Sequence, residues 1–192
     1  MTARLVFAVM FVFFCACGGE KKRMADAITE RDSLPAMKTY GVETLISDSG
    51  VIRYKILADE WLVYDRKKTP YWAFEKGIYL EKFDSLHNVE ASIVADTAYY
   101  YTNERLWTLK NNVDINNVKG ERFQTDKINW DESKKKIYSD EYIKITQLDK
   151  IITGYGFESN QDMTKYVINN ITGIFYVEDE DEPDEAAADS IG

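Results

Sequence analysis

The chain has 192 residues, of which 45% are hydrophobic and 30% charged, and this balance fits one soluble domain rather than a multi-span membrane protein. Three prolines and ten glycines are too few for a disordered body, and thirteen Tyr, nine Phe and four Trp favour a β-rich fold. The net charge of −9 gives the chain no overall basic character, so nucleic-acid binding is a poor prediction. Residues 178–189 hold eight acids and no base, so most of that charge lies near the C-terminus.

The N-terminus has the pattern of a bacterial lipoprotein signal. An apolar run over residues 5–16 is shorter than the roughly 20 residues that a membrane-spanning helix needs, so residues 1–16 are predicted to be a signal peptide. Ala16 precedes Cys17 and two glycines follow, which predicts lipidation of Cys17. Cys15 fits this role badly because the bulky Phe14 would occupy the cleavage position. A Cys-containing signal peptide and a short anchor helix are the alternatives.

Cleavage before Cys17 would leave no second cysteine in the mature chain, which excludes a disulfide framework and a cysteine metal site. Residues 17–39 are then a lipidated tether, residues 40–177 a folded body, and residues 178–192 an acidic tail that we expect to be disordered. From Val42 onward, apolar and polar residues alternate, with turn signals every eight to twelve residues. This pattern predicts an all-β body.

Four short segments repeat through the body: residues 56–59, 93–96, 123–126 and 151–154. Asp59, Asp96 and Asp126 end the first three segments, and Gly154 takes that place in the fourth. Behind the third segment the apolar parity switches, which a β-bulge at the acid would produce. We therefore interpret the repeated acids as structural residues rather than as catalytic or calcium-binding carboxylates.

Several motifs, in their order along the chain, resemble the LptC family. They are the segment Thr44-Leu45-Ile46-Ser47-Asp48-Ser49-Gly50, the Ala-Asp repeats, Trp107-x-Leu109, Asn111-Asn112-Val113 and Gly120-x-x-x-x-Thr125-Asp126-x-x-x-Trp130-Asp131. The resemblance covers about residues 39–177. It implies an open, twisted β-jelly-roll built from stacked antiparallel hairpins, whose apolar interior carries the lipid A acyl chains of lipopolysaccharide. The lipoprotein signal departs from the transmembrane helix of many relatives, and the acidic tail lies outside the family pattern.

The resemblance also implies partners. We expect inner-membrane ABC exporter subunits on one side and a soluble, LptA-like bridge protein on the other, with the chain lipid-anchored at the periplasmic face of the inner membrane and the outer membrane as an alternative location. Open sheet edges at residues 42–46 and 165–177 are the predicted docking strands. The candidate contacts there are Val42, Leu45, Val167 and Ile171.

One face of the sheet is the hypothetical lipid groove. Its candidate residues are Ile56, Phe74, Ile78, Ile93, Leu109, Val113, Phe123 and Ile143. An ordinary core made of the same residues is the alternative. The tryptophans and the run Tyr99-Tyr100-Tyr101 could form a sugar-stacking platform, although aromatic residues at alternating positions are usually core.

The sequence offers little for catalysis. His87 is the single histidine, and its polar surroundings predict a surface loop rather than a general base. No nucleophile elbow or phosphate-binding loop occurs in the sequence, so we predict no enzyme, cofactor or metal, and any energy must come from a partner ATPase. A carbohydrate-binding outer-membrane lipoprotein and a structural envelope-assembly lipoprotein are the alternative functions.

Overall fold

A computed structural model describes residues 33–176. All its strands lie in the second of the two units into which the chain divides, Pro35–Gly192. The predicted all-β architecture is confirmed, because eleven antiparallel strands form one sheet. The strands are β1 (Met37–Asp48), β2 (Val51–Tyr64), β3 (Tyr71–Phe74), β4 (Ile78–Phe83), β5 (Val89–Ala95), β6 (Thr97–Tyr101), β7 (Leu106–Asn117), β8 (Arg122–Asp131), β9 (Lys136–Thr146), β10 (Lys150–Asn160) and β11 (Tyr166–Tyr176). Across residues 33–176, no helix is long and apolar enough to cross a bilayer.

The long strands succeed one another as hairpins, and two rows of short strands lie between β2 and β7. Strand β2 pairs with β4 through Tyr54–Ala58 and with β3 through Leu62–Tyr64. Strand β7 pairs with β5 and β6 in the same divided way, and β4 pairs with β5 as β3 does with β6. Within the described range, β1 pairs only with β2 and β11 only with β10. The sheet is therefore open and has two edges.

The predicted irregularity near Asp126 is present in β8, but the extra residues lie in its neighbours. The register with β9 shifts between Thr125 and Asn129, where four residues of β8 are matched by five of β9, and the register with β7 shifts between Lys110 and Val113. Phe123 and Thr125 are buried before this point, and Ile128 and Trp130 after it. The inward-facing parity of β8 changes across this irregularity, so both parts of the strand direct apolar side chains into the same core.

A related irregularity interrupts the neighbouring strands at Asp96, which separates β5 from β6. The Asp96 backbone N–H donates to the Asn111 carbonyl at 3.0 Å, and its carboxylate accepts from Asn112 Nδ2 at 2.7 Å. Asn111 and Asn112 have positive φ angles of 61° and 50°, which asparagine tolerates better than most residues. These contacts support the structural interpretation of Asp96.

Close packing of two strands explains why the fourth repeat ends in Gly154 and not in an acid. A Cβ at Gly154 would lie 2.5 Å from the backbone oxygen of Asn170 and 2.6 Å from the Ile168 side chain. Strand β11 approaches β10 too closely here for any side chain, so the repeat has no acid at this position.

Candidate functional site

The eight predicted groove residues come together in the structure. They are contributed by β2, β3, β4, β5, β7, β8 and β9 and belong to one apolar cluster. No member is more than 6% exposed, so these side chains pack as part of one buried cluster. Their contact with lipid stays a prediction.

An open cleft adjoins this core. It has a volume of about 660 Å³, within the roughly 300–1,000 Å³ typical of ligand pockets. Its lining comes from β1–β5 and from β6–β8 with the β10–β11 turn. We call strands β1–β5 and β6–β11 the two halves of the sheet, and the opening that these residues line the mouth. Its lining includes Ile46, Arg53, Tyr54, Ile56, Trp72, Leu80, Lys82, Tyr100, Arg105, Trp107, Trp130, Glu132, Lys135 and Asp162. Ile56 is the one predicted groove residue in this lining.

Aromatic rings form a continuous row along the cleft. The ring centroids of Trp72 and Tyr100 are 5.0 Å apart, and Tyr100 stacks on Trp107 with a centroid distance of 4.7 Å. The centroids of Trp107 and Trp130 are 6.4 Å apart. Trp107 and Trp130 are core residues, whereas Trp72 and Tyr100 are only partly buried. The expectation that the aromatic residues are mostly core is thus confirmed for the two inner tryptophans, and the outer two rings face accessible space.

One carboxylate organises the polar rim of the cleft. Glu132 accepts hydrogen bonds from Trp107 Nε1 at 3.0 Å and from the Tyr100 hydroxyl at 3.3 Å, and Arg105 Nε lies 3.5 Å from it. Burial, with the Glu132 charge as the next cause, raises the pKa of Tyr100 to about 12. The Tyr100 hydroxyl therefore stays a neutral donor, and Glu132 holds the Tyr100 and Trp107 rings through their polar atoms.

A lysine bridges the cleft. Lys82 on β4 contacts the carboxylates of Glu90 on β5 and of Asp162 in the β10–β11 turn, 80 residues away. Burial opposes the Lys82 charge, but the hydrogen bonds with Asp162 and Glu90 outweigh this and raise its pKa. Lys82 is thus a charged clasp between the two halves of the sheet, and no spacing in the sequence pairs it with Asp162.

Beyond Lys82 the mouth is closed by the β10–β11 turn. Met163 in this turn is fully buried in the core, with its backbone at a φ of 55°. The buried Asn117 amide donates to the Met163 carbonyl at 2.8 Å and to Glu121 at 2.7 Å. Glu121 also accepts from the Tyr166 hydroxyl at 3.2 Å, and burial followed by the Glu121 charge raises the pKa of Tyr166 to about 12.

The predicted docking residues lie on the two edge strands. Val42 and Leu45 belong to β1, and Val167 and Ile171 belong to β11. Val167 and Ile171 are 63% and 57% exposed, and Leu45 is 54% exposed. Their contact with partner proteins stays a prediction, as does the lipidation of Cys17, which lies outside the described residues together with the signal peptide, most of the tether and the acidic tail.

His87 is exposed in the β4–β5 turn, as predicted, with its ring stacked on Phe83 at 5.0 Å. Among residues 33–176, no group of three or more His, Cys, Asp or Glu side chains could hold a metal ion. Sequence reasoning missed the cleft, the contact of Lys82 with Asp162, and the burial of Met163, which fills the core beneath the β10–β11 turn. Met163 gave no periodic signal because it lies in a turn.

Comparison with known proteins agrees with the fold. Curated proteins yield no match to the chain. The family model described as lipopolysaccharide-assembly, LptC-related, matches residues 5–175, which include all the strands except the last residue of β11. With this match over most of its length, the chain belongs to the LptC-related family, whose members are periplasmic, inner-membrane-associated components of the lipopolysaccharide transport bridge.

Proposed function

We propose that this protein is a lipid-anchored, periplasmic lipopolysaccharide carrier, which receives lipid A acyl chains from an inner-membrane ABC exporter and passes them to a soluble, LptA-like bridge protein. The observation that carries the proposal is the combination of an apolar interior, open on one side at the aromatic cleft, with unpaired strands at both edges of the sheet. A carrier needs the interior to shield acyl chains and the edges to continue the path into its neighbours.

The interior supplies the shielding. An acyl chain of about a dozen methylenes costs on the order of 10 kcal/mol to expose to water, so it needs a continuous apolar surface. The eight groove residues form such a surface, but they fill one another's space. Acyl chains would therefore enter at the cleft beside Trp72 and Tyr100 and part the two halves of the sheet.

The edges supply the docking strands. Strand β11 exposes apolar side chains together with its unpaired backbone groups, which suits addition of a strand from another sheet. We assign β11 to the soluble bridge protein and β1 to the exporter. Lipidation of Cys17 would hold the body at the periplasmic face of the inner membrane, since two or three acyl chains give a durable anchor.

A matched pair of photo-crosslinkers on β5 tests lipid carriage. Ile93 is a buried groove residue, and the adjacent Val94 points to the opposite, exposed face. In cells, a benzophenone amino acid at position 93 should capture lipopolysaccharide, and capture should stop when the exporter's ATPase is inactive. The same residue at position 94 should capture little. Equal capture at both positions, or none at position 93 in a folded protein, would reject carriage through the interior.

The same chemistry tests the edge assignment. A photo-crosslinker at Ile171 on β11 should capture the soluble bridge protein. Tyr142 is the control, because it is 42% exposed but lies on β9, two strands inward from the edge. Capture of the bridge protein from Tyr142 but not from Ile171 would contradict docking through β11.

The partly exposed rings of Trp72 and Tyr100 support a second candidate, binding of a free glycan in the cleft. Glycan binding without any lipopolysaccharide crosslink at position 93 would favour this alternative. The two functions are therefore separated by the same protein variants.

A further inference from the structure

The β2–β3 loop, residues 65–70, carries three consecutive cations. Arg66, Lys67 and Lys68 form no ion pair with any residue of the described part of the chain, unlike Lys38 and Lys55 on the neighbouring hairpin. Residues 64–76 and 99–110 hold six Lys and Arg against three Asp and Glu. Lys76 pairs with Glu60 and Arg105 with Glu132, so the excess is that of the three loop cations and Lys110. This local excess of positive charge stands out in a chain with a net charge of −9.

A cluster of four tyrosines lies beside the loop. Tyr71 stacks on Tyr64 with a distance of 4.7 Å between ring centroids. Its centroid lies 6.1 Å from that of Tyr99 and 6.0 Å from that of Tyr101. All four rings are partly exposed, on the face of the sheet opposite to the core. Lys110 Nζ lies 5.6 Å above the Tyr99 ring. Rings with a polar end, next to cations, are the side chains that settle at a membrane–water interface.

The N-terminal segment joins the body at the same place. The Ala36 N–H donates to the Val63 carbonyl at 2.7 Å, and Met37 pairs with Val63, the residue before Tyr64. Eighteen residues lie between Cys17 and Ala36, so the two residues can be at most roughly 65 Å apart when the segment is fully extended. An anchor at Cys17 would thus bring this end of the sheet near the bilayer but leave its orientation free. A second contact is needed to fix that orientation.

We propose that the β2–β3 loop and the four tyrosines form a docking surface for an anionic phospholipid membrane. The cations bind lipid phosphates while the tyrosine rings lie at headgroup level, so that the body is held in one orientation on the bilayer. This inference rests on the membrane attachment of the proposed function and adds a contact that the lipid anchor does not supply. Each Lys or Arg close to an anionic bilayer strengthens partitioning about fivefold, so the three loop cations together contribute about a hundredfold.

The test uses the full chain in vesicles with a photo-crosslinking residue at Thr69, which is exposed in the loop. Adducts are identified by mass spectrometry in vesicles of phosphatidylglycerol with phosphatidylcholine and in vesicles of phosphatidylcholine alone. The comparison probe stands at Leu148, which is 99% exposed in the β9–β10 turn. We expect phospholipid adducts at Thr69 in the anionic vesicles, at least tenfold fewer in the neutral ones or in 1 M salt, and few at Leu148.

A matched pair of triple variants isolates the loop. The change of Arg66, Lys67 and Lys68 to Gln should reduce the Thr69 adducts at least tenfold. The change of Lys127, Lys144 and Lys165 to Gln alters net charge equally, at cations without an ion pair in the described range, and should leave the adducts unchanged. Equal effects of the two sets would overturn the proposal. So would adducts between Thr69 and the acidic tail or a protein in place of lipid.

The assay is run on the full chain and on its Cys17→Ala variant, because the loop contact is expected in both. Loss of membrane attachment in Cys17→Ala with Thr69 adducts still formed on added anionic vesicles supports the docking surface independently of the anchor. Absence of Thr69 adducts in both proteins, with lipopolysaccharide capture at position 93 intact, rejects the docking surface and leaves the carrier function standing.

Discussion

The two sides of the mouth between the halves of the sheet differ in what fills them. On one side Met163 is buried in the core, and Asn117 and Glu121 bind its turn through a hydrogen-bonded network. On the other side the aromatic rings of Trp72 and Tyr100 border a cleft of about 660 Å³. The clasp of Lys82 with Asp162 lies between them.

This difference indicates which side can open. Separation of the halves at Met163 would expose a buried apolar side chain and break hydrogen bonds of buried groups, both of which are costly. Separation at the cleft breaks contacts between rings that already touch accessible space. We therefore expect the halves of the sheet to separate at the cleft before they separate at Met163.

The largest expected effect on stability comes from a charge placed in the buried core, compared with the same charge placed in the open cleft. Phe74→Arg puts a cation in the fully buried core and should lower the free energy of unfolding by more than about 3 kcal/mol. Trp72→Arg, two residues away on β3 and facing the cleft, lets the cation reach water and should cost about 1–2 kcal/mol through lost ring contacts. Urea unfolding followed by circular dichroism measures both. Equal losses would mean that the cleft is not open at Trp72.

The closed side is tested by removal of its plug. Met163→Ala should lower the free energy of unfolding by about 2–5 kcal/mol, because it leaves a cavity in the core. The control is Leu148→Ala, an equally apolar turn residue that is almost fully exposed, with an expected change within about 0.5 kcal/mol. A loss below about 1 kcal/mol for Met163→Ala would show that its turn does not close the mouth.

The clasp should have an intermediate effect. In a double-mutant cycle of Lys82→Met and Asp162→Asn, we expect a coupling energy of about 1 kcal/mol, because the Lys82 side chain is only 15% exposed. The control cycle uses the more exposed pair of Lys55 with Glu43, whose expected coupling is below about 0.5 kcal/mol. Chemical unfolding at pH 7 gives both energies. A coupling energy no larger than that of the control pair would show that the contact of Lys82 with Asp162 does not hold the two halves of the sheet together.

The smallest effect compares two tyrosine–glutamate pairs, one on each side of the mouth. The pKa values of Tyr100 and Tyr166 are raised to about 12, against about 10 in an unfolded chain. Between pH 10 and 12 the unfolded state loses these protons first, so stability falls as pH rises through this window. Tyr100→Phe and Tyr166→Phe should each cost about 1 kcal/mol at pH 7 and reduce the loss between pH 10 and 12.

Thermal unfolding at pH 7, 10 and 11.5 measures this dependence. Tyr142→Phe is the control, because Tyr142 is exposed and its hydroxyl donates no hydrogen bond within residues 33–176. An alkaline loss that is unchanged in both Tyr100→Phe and Tyr166→Phe would show that the two hydrogen-bonded pairs do not respond to pH as their surroundings indicate.

Much of the fold could be predicted because its cause is local. Alternation along single strands identifies which residues face inward, and the switch of parity around Asp126 predicts the register shift there, although not which strand carries the extra residue. All eight groove candidates proved to be buried in one cluster for the same reason. Whether such a cluster is a groove or a core is not a local property, since it depends on the spacing of the two halves of the sheet.

The sequence by itself determined the strand pattern, the irregularity near Asp126, the loop position of His87 and the resemblance to the LptC family. Only the tertiary structure decided that Lys82 reaches Asp162 across 80 residues, that Met163 plugs the mouth, and that Trp72 and Tyr100 border an open cleft. The physical reason is that strand periodicity reports only which side of the sheet a residue faces. Where the folded sheet closes on itself depends on contacts between residues far apart in the chain, which no period in the sequence encodes.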